Sequence, residues 1–252
     1  MNDLTPNPAA QLTPEQFAHI TALQEARPDW KVAVVVPLVS DEKRDQTGDH
    51  SYPLAHPYIT GMQYALRRLR PACDVLDIGS PLAQVVAMTS MGMTVTVVDI
   101  RQYPDPVSLG VWKWVKANAC ATGLPDASQR IITSFWAIAH IGDGRYGDDL
   151  RADGDLQFLR EIYRLLAPGG VAHLGVGPMD DTAGCLFNLH RVYSWKWLLP
   201  QLEEIGFLVT EKTEVPVCID MYLDGSWGDK PEIAAAHGGR EGVYGIVSVR
   251  KP

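Results

Sequence analysis

The stretch from Cys73 to Asp99 constrains the fold of this chain more than any other. Cys73-Asp74-Val75-Leu76-Asp77-Ile78 is a short apolar run that halts at Gly79, Ser80 and Pro81. Leu82 to Met91 then has the length and the small-to-apolar composition of a helix. A second β-rich run, Met93 to Val98, follows at once and ends in Asp99. Strand, tight turn, helix and strand in this order form a nucleotide-binding unit of an α/β sheet. The turn brings backbone N–H groups to a ligand, and an acid at the end of the second strand accepts from two ribose hydroxyls.

Composition narrows the partners. The 252 residues suffice for one α/β domain with elaborations. Lys and Arg number 22 against 30 Asp and Glu, a net charge of −8 with no basic block, which argues against a nucleic-acid backbone and favours a small or neutral substrate. Cys73, Cys120, Cys185 and Cys218 lie far apart without a CxxC pair, so they read as reduced, buried thiols of a cytoplasmic protein, and no metal site is suggested. No basic-then-apolar leader and no run of about 18 apolar residues is present, so neither a signal peptide nor a membrane span is expected. The oligomeric state is left open, a homodimer included.

In chain order, Met1 to Gln11 is expected to be a loose tail, and Thr13-Pro14-Glu15-Gln16 has the form of a helix start with a capping box, the helix running to about Ala26. Lys31 to Val36 reads as a strand outside the main fold, an edge strand or part of a small cap. Ser40 to Pro57 lacks either periodicity and reads as loop, and Tyr58 to Arg70 as an amphipathic helix burying Ile59, Met62, Leu66 and Leu69. Residues 1–57 are thus an amino-terminal extension to a domain spanning 58–252. Val107 to Ala117 is expected to be helical, with Trp112 and Trp114 on different faces. Arg130 to Ser134 is the next strand, Asp155 to Leu166 a helix ended by Ala167-Pro168-Gly169-Gly170, and Val171 to Val176 the fifth strand. Ser194 to Ile205 is a helix, Phe207 to Val215 a strand, and apolar Val243 to Val249 a buried last strand after an insertion, Pro216 to Gly242.

Val75-Leu76-Asp77-Ile78-Gly79 resembles the opening of class I S-adenosylmethionine (SAM)-dependent methyltransferases, and the LLAPGG turn is a further mark of that resemblance. The resemblance implies a Rossmann-like sheet of seven mostly parallel strands in the order 3-2-1-4-5-7-6, flanked by helices. It implies SAM over Asp77, Gly79, Ser80 and Pro81, its ribose on Asp99, its adenine near Ile100, Cys120 and Ala121, and Ser134 within the cofactor site. Two departures stand out. Ser80-Pro81-Leu82-Ala83 replaces the two further glycines of the family turn, and Cys120 takes the place of an acid that commonly holds the adenine amine. In similar enzymes the amino-terminal segment serves as a lid, which would place Tyr52, His56 and Tyr58 over the site; surface packing is the other reading.

Two clusters carry chemistry-bearing side chains near the expected carboxyl ends of strands four and five. One is His140-Ile141-Gly142-Asp143-Gly144-Arg145-Tyr146-Gly147-Asp148 and the other Phe187-Asn188-Leu189-His190-Arg191-Val192-Tyr193. Neither is what a turn alone requires, since glycine and proline suffice for turning. Together they resemble an uncharacterised methyltransferase branch with GRYGD and FNxHRxY segments, whose members look like neighbours of sugar biosynthesis. A hydroxyl or amine acceptor must lose a proton, and a histidine with an ordinary pKa of about 6.5 suits that task. His140 and His190 are therefore the candidate bases, Asp143 or Asp148 could orient one of them, and Arg145, Tyr146, Asn188, Arg191 and Tyr193 could hold a polar substrate. The same segments also allow a packed histidine, an Arg145–Asp148 loop salt bridge, and a solvated rather than Mg²⁺-binding Asp180-Asp181 turn. The leading expectation is methyl transfer to a small polar metabolite; the rivals are a SAM-binding enzyme of other chemistry and a non-catalytic scaffold.

Overall fold

The computed structural model describes residues 12–34, 61, 63–101, 110–187, 190–217 and 242–252. Tyr52, His56, Tyr58, Asn188, Cys218 and most of the 216–242 insertion lie outside these residues. Helix α1 (Pro14–Ala26) starts with the expected reciprocal cap: the Gln16 N–H donates to Thr13 Oγ1 at 3.2 Å and the Thr13 N–H to Gln16 Oε1 at 3.0 Å. Residues 61 and 63–66 are helical, so the helix stops short of the expected Arg70; Tyr64 and Ala65 within it and Leu69 beyond it are buried, Leu66 is half-buried, and Ile59 and Met62 lie outside the described residues.

The main sheet contains β2 (Asp74–Ile78), β3 (Thr94–Asp99), β4 (Lys113–Lys116), β5 (Gln129–Phe135), β6 (Leu166–Met179), β9 (Leu208–Val217) and β10 (Gly242–Arg250). Their order is β4-β3-β2-β5-β6-β10-β9. Numbered among themselves this is 3-2-1-4-5-7-6, as expected, and β10 runs antiparallel to both neighbours. Helices α2 (Leu82–Ser90), α3 (Gly154–Leu165) and α4 (Trp195–Ile205) flank it. Alternate residues of β2 serve two cores: Leu76 and Ile78 pack with Phe158, Leu159 and Ile162 of α3, and Val75 packs with Val85 and Met88 of α2. That is why the central strands read as unbroken apolar runs. No helix among the described residues is long and apolar enough to cross a membrane.

One sequence expectation is corrected here. Within Val107–Ala117, residues 107–109 lie outside the described set and Lys113–Lys116 is a strand, pairing parallel with β3 from Thr96↔Lys113 to Asp99↔Lys116. Trp114 and Val115 favour a pleated surface, and the open edge of β3 supplies the pairing partner that a local pattern cannot reveal. Trp112, just before this strand, is 77% exposed, while the Trp114 indole N–H donates to the Arg101 carbonyl at 3.1 Å. The 187–193 cluster, for which the sequence predicts no element, is part of a sheet. It falls on β7 (Gly184–Phe187) and β8 (His190–Val192), which pair antiparallel, with β1 (Lys31–Val34) parallel to β7 in a separate three-stranded sheet.

A buried ionic cluster joins that small sheet to the main body. Arg191 of β8 donates from Nη2 to Asp143 Oδ1 at 2.9 Å and to the Arg151 carbonyl at 3.1 Å, and from Nη1 to the Ile141 carbonyl. Its Nη1 also lies 3.5 Å from Asp155 Oδ1, and Arg27, after α1, grips both Asp155 oxygens. The Tyr193 hydroxyl reaches Asp155 Oδ2 at 3.1 Å, and His19 Nε2 lies 3.4 Å from Asp143 Oδ1. Arg191 and Asp155 are fully buried. Burial alone would raise the Asp155 carboxyl, but Arg191 and Arg27 outweigh it and hold it below the usual carboxylate range. Breaking such a group from one side strands a desolvated charge. Arg191→Met should therefore lower the unfolding free energy by about 3–5 kcal/mol in urea denaturation.

A second buried group lies between β6 and β10. The Ser248 hydroxyl is 2.7 Å from both Tyr64 Oη and His173 Nδ1. Burial, reinforced by the positive charge of Arg68 and opposed by Glu211, pushes His173 down to about 4. The unfolded chain takes up this proton near pH 6.5, so between about 6.5 and 4 it binds more protons than the folded chain, and stability falls as pH falls. Relative to His173→Asn, the wild type should lose roughly 2–3 kcal/mol between about pH 7 and about pH 4, read from paired urea titrations.

Candidate functional site

The turn after β2 is braced from inside. Asp77 is completely buried; its Oδ2 accepts from the Ser80 hydroxyl at 2.6 Å and from Thr133 Oγ1 at 2.7 Å, and its Oδ1 from the Ser80 N–H at 3.2 Å. Burial pushes its carboxyl up to about 6 against those hydrogen bonds. Ser80 Oγ also accepts from the Phe135 N–H at 3.0 Å, and Ser134 Oγ donates to the Ile78 carbonyl at 2.7 Å. The side chains of Asp77, Ser80 and Ser134, all placed by sequence in a cofactor site, are thus turned into the body of the sheet, where they hold the turn's shape. Gly79 stands at φ +69°, and a Cβ there would lie 3.0 Å from the Ala137 Cβ, so the close passage and the left-handed backbone both call for glycine. Pro81 is the N-cap of α2 and provides no side-chain cap to its amides.

Asp99 sits at the carboxyl end of β3, nearly buried at 6% exposure. Both its oxygens are engaged by Arg101: Nε and the backbone N–H reach Oδ1 at 3.0 and 2.8 Å, and Nη2 reaches Oδ2 at 2.9 Å. Arg101 is not among the residues singled out by the sequence, where its signal is an arginine two residues beyond a strand-end acid. Ile100 is half-buried and Ala121 exposed. The Cys120 thiol, pushed up to about 12 by burial, points inward to the Gly154 carbonyl at 3.3 Å rather than replacing the missing acid.

The acceptor side begins at Trp136, which leaves β5 at φ +71°, a conformation that costs a bulky residue about 1–3 kcal/mol and had no signal in the sequence. It turns the chain into a single 3-10 turn, Ala137–Ala139, that ends on His140. The following loop is folded on itself: Asp148 accepts from the N–H groups of Gly142 at 2.7 Å and Tyr146 at 3.3 Å, and a Cβ at Gly142 would lie only 2.4 Å from the Arg151 carbonyl. Half-buried side chains then form a line across the end of the sheet. The Arg101 guanidinium lies 5.1 Å from the Tyr146 ring and that of Arg145 5.6 Å; Tyr146 is 5.5 Å from the His140 ring, which is 6.4 Å from His190.

The two clusters therefore do converge, but not with every residue expected. His140, His190, Arg145 and Tyr146 come together. Asp143, Arg191 and Tyr193 are instead packed inside: each is at most 2% exposed and bonded within the ionic cluster, Arg191 and Tyr193 because alternate side chains of an extended segment point the same way. They are corrected from orienting and substrate-binding roles to positioning ones. Asp180 and Asp181 are exposed.

A family model described as a Caenorhabditis protein of unknown function, DUF268, matches residues 126–215, which hold both clusters. Among solved structures, the chain is similar to 1,6-didemethyltoxoflavin-N1-methyltransferase of Burkholderia thailandensis, solved with bound 1,6-didemethyltoxoflavin and S-adenosylhomocysteine, at 17% identity and a TM-score of 0.61 over 98% of this chain and 94% of that one. It is also similar to the 4+2 cyclase SpnF, at 14% identity and a TM-score of 0.57 over 100% and 99% of the two chains. A comparison with curated proteins found no match. The fold is that of the class I SAM-dependent methyltransferases.

The residues present suit an adenosyl nucleoside. Asp99 carries two carboxylate oxygens, held by Arg101, at the end of β3, and α2 starts just after the Gly79 turn without a side-chain cap. Ser80→Ala removes a donor to Asp77 and the acceptor of the Phe135 N–H, and should cost about 1–3 kcal/mol. Because the lost donor favours the charged carboxyl, the deficit should grow as pH rises through about 6, which denaturation at two pH values checks.

Proposed function

We propose that this protein is a SAM-dependent methyltransferase that moves a methyl group to a hydroxyl or amine of a small polar metabolite, with His140 or His190 as general base. The observation that carries this reading is the convergence of the two histidines, 6.4 Å apart by ring centres, on a line that runs through Tyr146 and Arg101 to Asp99. When bound, SAM supplies an electrophilic methyl on a sulfonium. Asp99 would accept hydrogen bonds from the ribose hydroxyls, and the Gly79–Leu82 turn and the start of α2 would hold the rest of the nucleoside. The histidine takes the proton of the acceptor as it is held in line, and Tyr146 and Arg145 offer a phenol and a guanidinium to its polar groups. The −8 net charge and the absence of a basic block support a small acceptor over a nucleic acid. A small-molecule methyltransferase among the structural neighbours supports the substrate class.

One observation favours a second reading, a SAM-binding enzyme of other chemistry. Pro81 brings no N–H to the turn, so the amino-acid end of the cofactor meets one donor fewer than a glycine would offer. A cyclase shares the fold.

Calorimetric titration with SAM and S-adenosylhomocysteine is the first test. Binding in the micromolar range that is lost in Asp99→Ala is expected, and no heat from either ligand would overturn both readings in favour of a scaffold. With an acceptor found by screening polar metabolites for S-adenosylhomocysteine release, His140→Ala or His190→Ala should lower kcat by about 10²–10⁴ while leaving cofactor affinity in place. Turnover of SAM-bound protein without methylated product would favour the second reading.

A further inference from the structure

The Ala137–Ala139 turn, which ends on His140, is seated between two left-handed glycines. Strand β5 lies between β2 and β6 in the sheet, so the turn that follows it meets one neighbour on each side. On the cofactor side, a Cβ on Gly79 would stand 3.0 Å from the Ala137 Cβ, so the space that this glycine leaves belongs to the Ala137 methyl. On the β6 side, a Cβ on Gly177, at φ +100°, would stand 2.9 Å from the Ala139 Cβ. The entrance to the turn is anchored. The Trp136 N–H donates to the Gly175 carbonyl at 2.8 Å, its indole stands edge-on to Tyr244 at 5.0 Å, and a Cβ on Gly61 or Gly175 would come within 3.1 Å of it. The exit hangs on Ala137, whose carbonyl accepts from the His140 N–H at 2.9 Å. One residue therefore has its side chain on the turn after β2 and its carbonyl on the candidate base.

We infer that Ala137 is a positioning residue that ties the candidate base to the cofactor turn: a nucleoside settling on Gly79–Leu82 displaces the Ala137 methyl, and the displacement reaches the His140 imidazole through the 3-10 turn. This rests on the SAM reading above and deepens it, making cofactor binding the event that aims the base. Close-packed contacts transmit strain, because atoms already touching cannot approach further. With its two alanines seated on β2 and β6 neighbours and its entrance fixed by Trp136, the turn yields at its far end, which is His140. The left-handed Trp136 backbone fits the same reading, since an outlier costing about 1–3 kcal/mol persists only where packing over-determines it, and such outliers cluster at active sites and switches. The imidazole reports its own direction. It stands edge-on to the Tyr146 ring at 5.5 Å, so a change in its orientation alters the ring current that it feels.

The test uses the full chain with isotope-labelled histidine, S-adenosylhomocysteine, and two variants: Ala137→Gly, which deletes the methyl, and Ala137→Ser, which keeps a Cβ. Calorimetry first measures nucleoside binding to each protein, and a His140→Gln sample identifies the His140 imidazole resonance by its absence. Glycine in place of Ala137 costs about 0.5–1 kcal/mol, which leaves the fold intact. Saturating S-adenosylhomocysteine should shift the His140 resonance in the wild type and in Ala137→Ser. In Ala137→Gly the shift should be lost although the nucleoside still binds. A merely structural role for Ala137 would move the resonance of the free protein and leave the ligand-induced shift in place. An equal shift in Ala137→Gly, a shift missing from the wild type or from Ala137→Ser, or loss of nucleoside binding in a folded Ala137→Gly, overturns this inference while the SAM reading stands. No nucleoside heat in the wild type overturns both.

Discussion

The guanidinium of Arg191, fully buried, is the interaction on which the acceptor side of this protein depends. A charge withdrawn from water must find compensation nearby, and here Asp143, Asp155 and two backbone carbonyls provide it. Those partners come from the loop after β5 and from the start of α3, while Arg191 comes from β8 and Arg27, on the same Asp155, from the end of α1. One desolvated cluster therefore joins the small sheet, the amino-terminal helix and the main sheet. Aromatic faces seal it: Arg27 lies 4.1 Å from the Trp30 ring and 4.9 Å from that of Trp197.

The consequence reaches the candidate site through the chain itself. Ile141 and Asp143 are held by Arg191, so the backbone on either side of Gly142 is pinned, and His140 and Tyr146 are carried at fixed distance from the sheet end. The cofactor side follows another scheme. There a neutral-to-acidic carboxyl, Asp77, is buried under hydroxyl donors and shapes the turn without facing outward. One strand away, the acid at the end of β3, Asp99, is held by Arg101 instead. Asp99 and Arg101 thus lie where the two halves meet.

The frame was legible in the sequence because local chemistry wrote it. The Thr13–Gln16 capping box, the Gly206 stop after α4 and the apolar runs of β2 and β3 each follow from a few adjacent residues, and the strand order followed from resemblance to a known fold. The 113–116 strand was misread as helix because its register is set by the edge of β3, a partner distant in sequence. Of the candidate site, the pairing of His140 with His190 was legible as two clusters rich in functional groups.

By itself, then, the sequence determined the α/β class, the Gly79 turn with its proline, and the two segments that bear the histidines. It did so because helix caps, strand periodicity and glycine conformations are near-neighbour effects. Tertiary structure alone decided which polar side chains face outward. Arg191 and Tyr193 carry the same groups as Arg145 and Tyr146, yet packing against Asp143 and Asp155 makes them interior. Burial is a property of everything that surrounds a side chain, and the elements that surround these come from α1, α3 and β8, far apart along the chain.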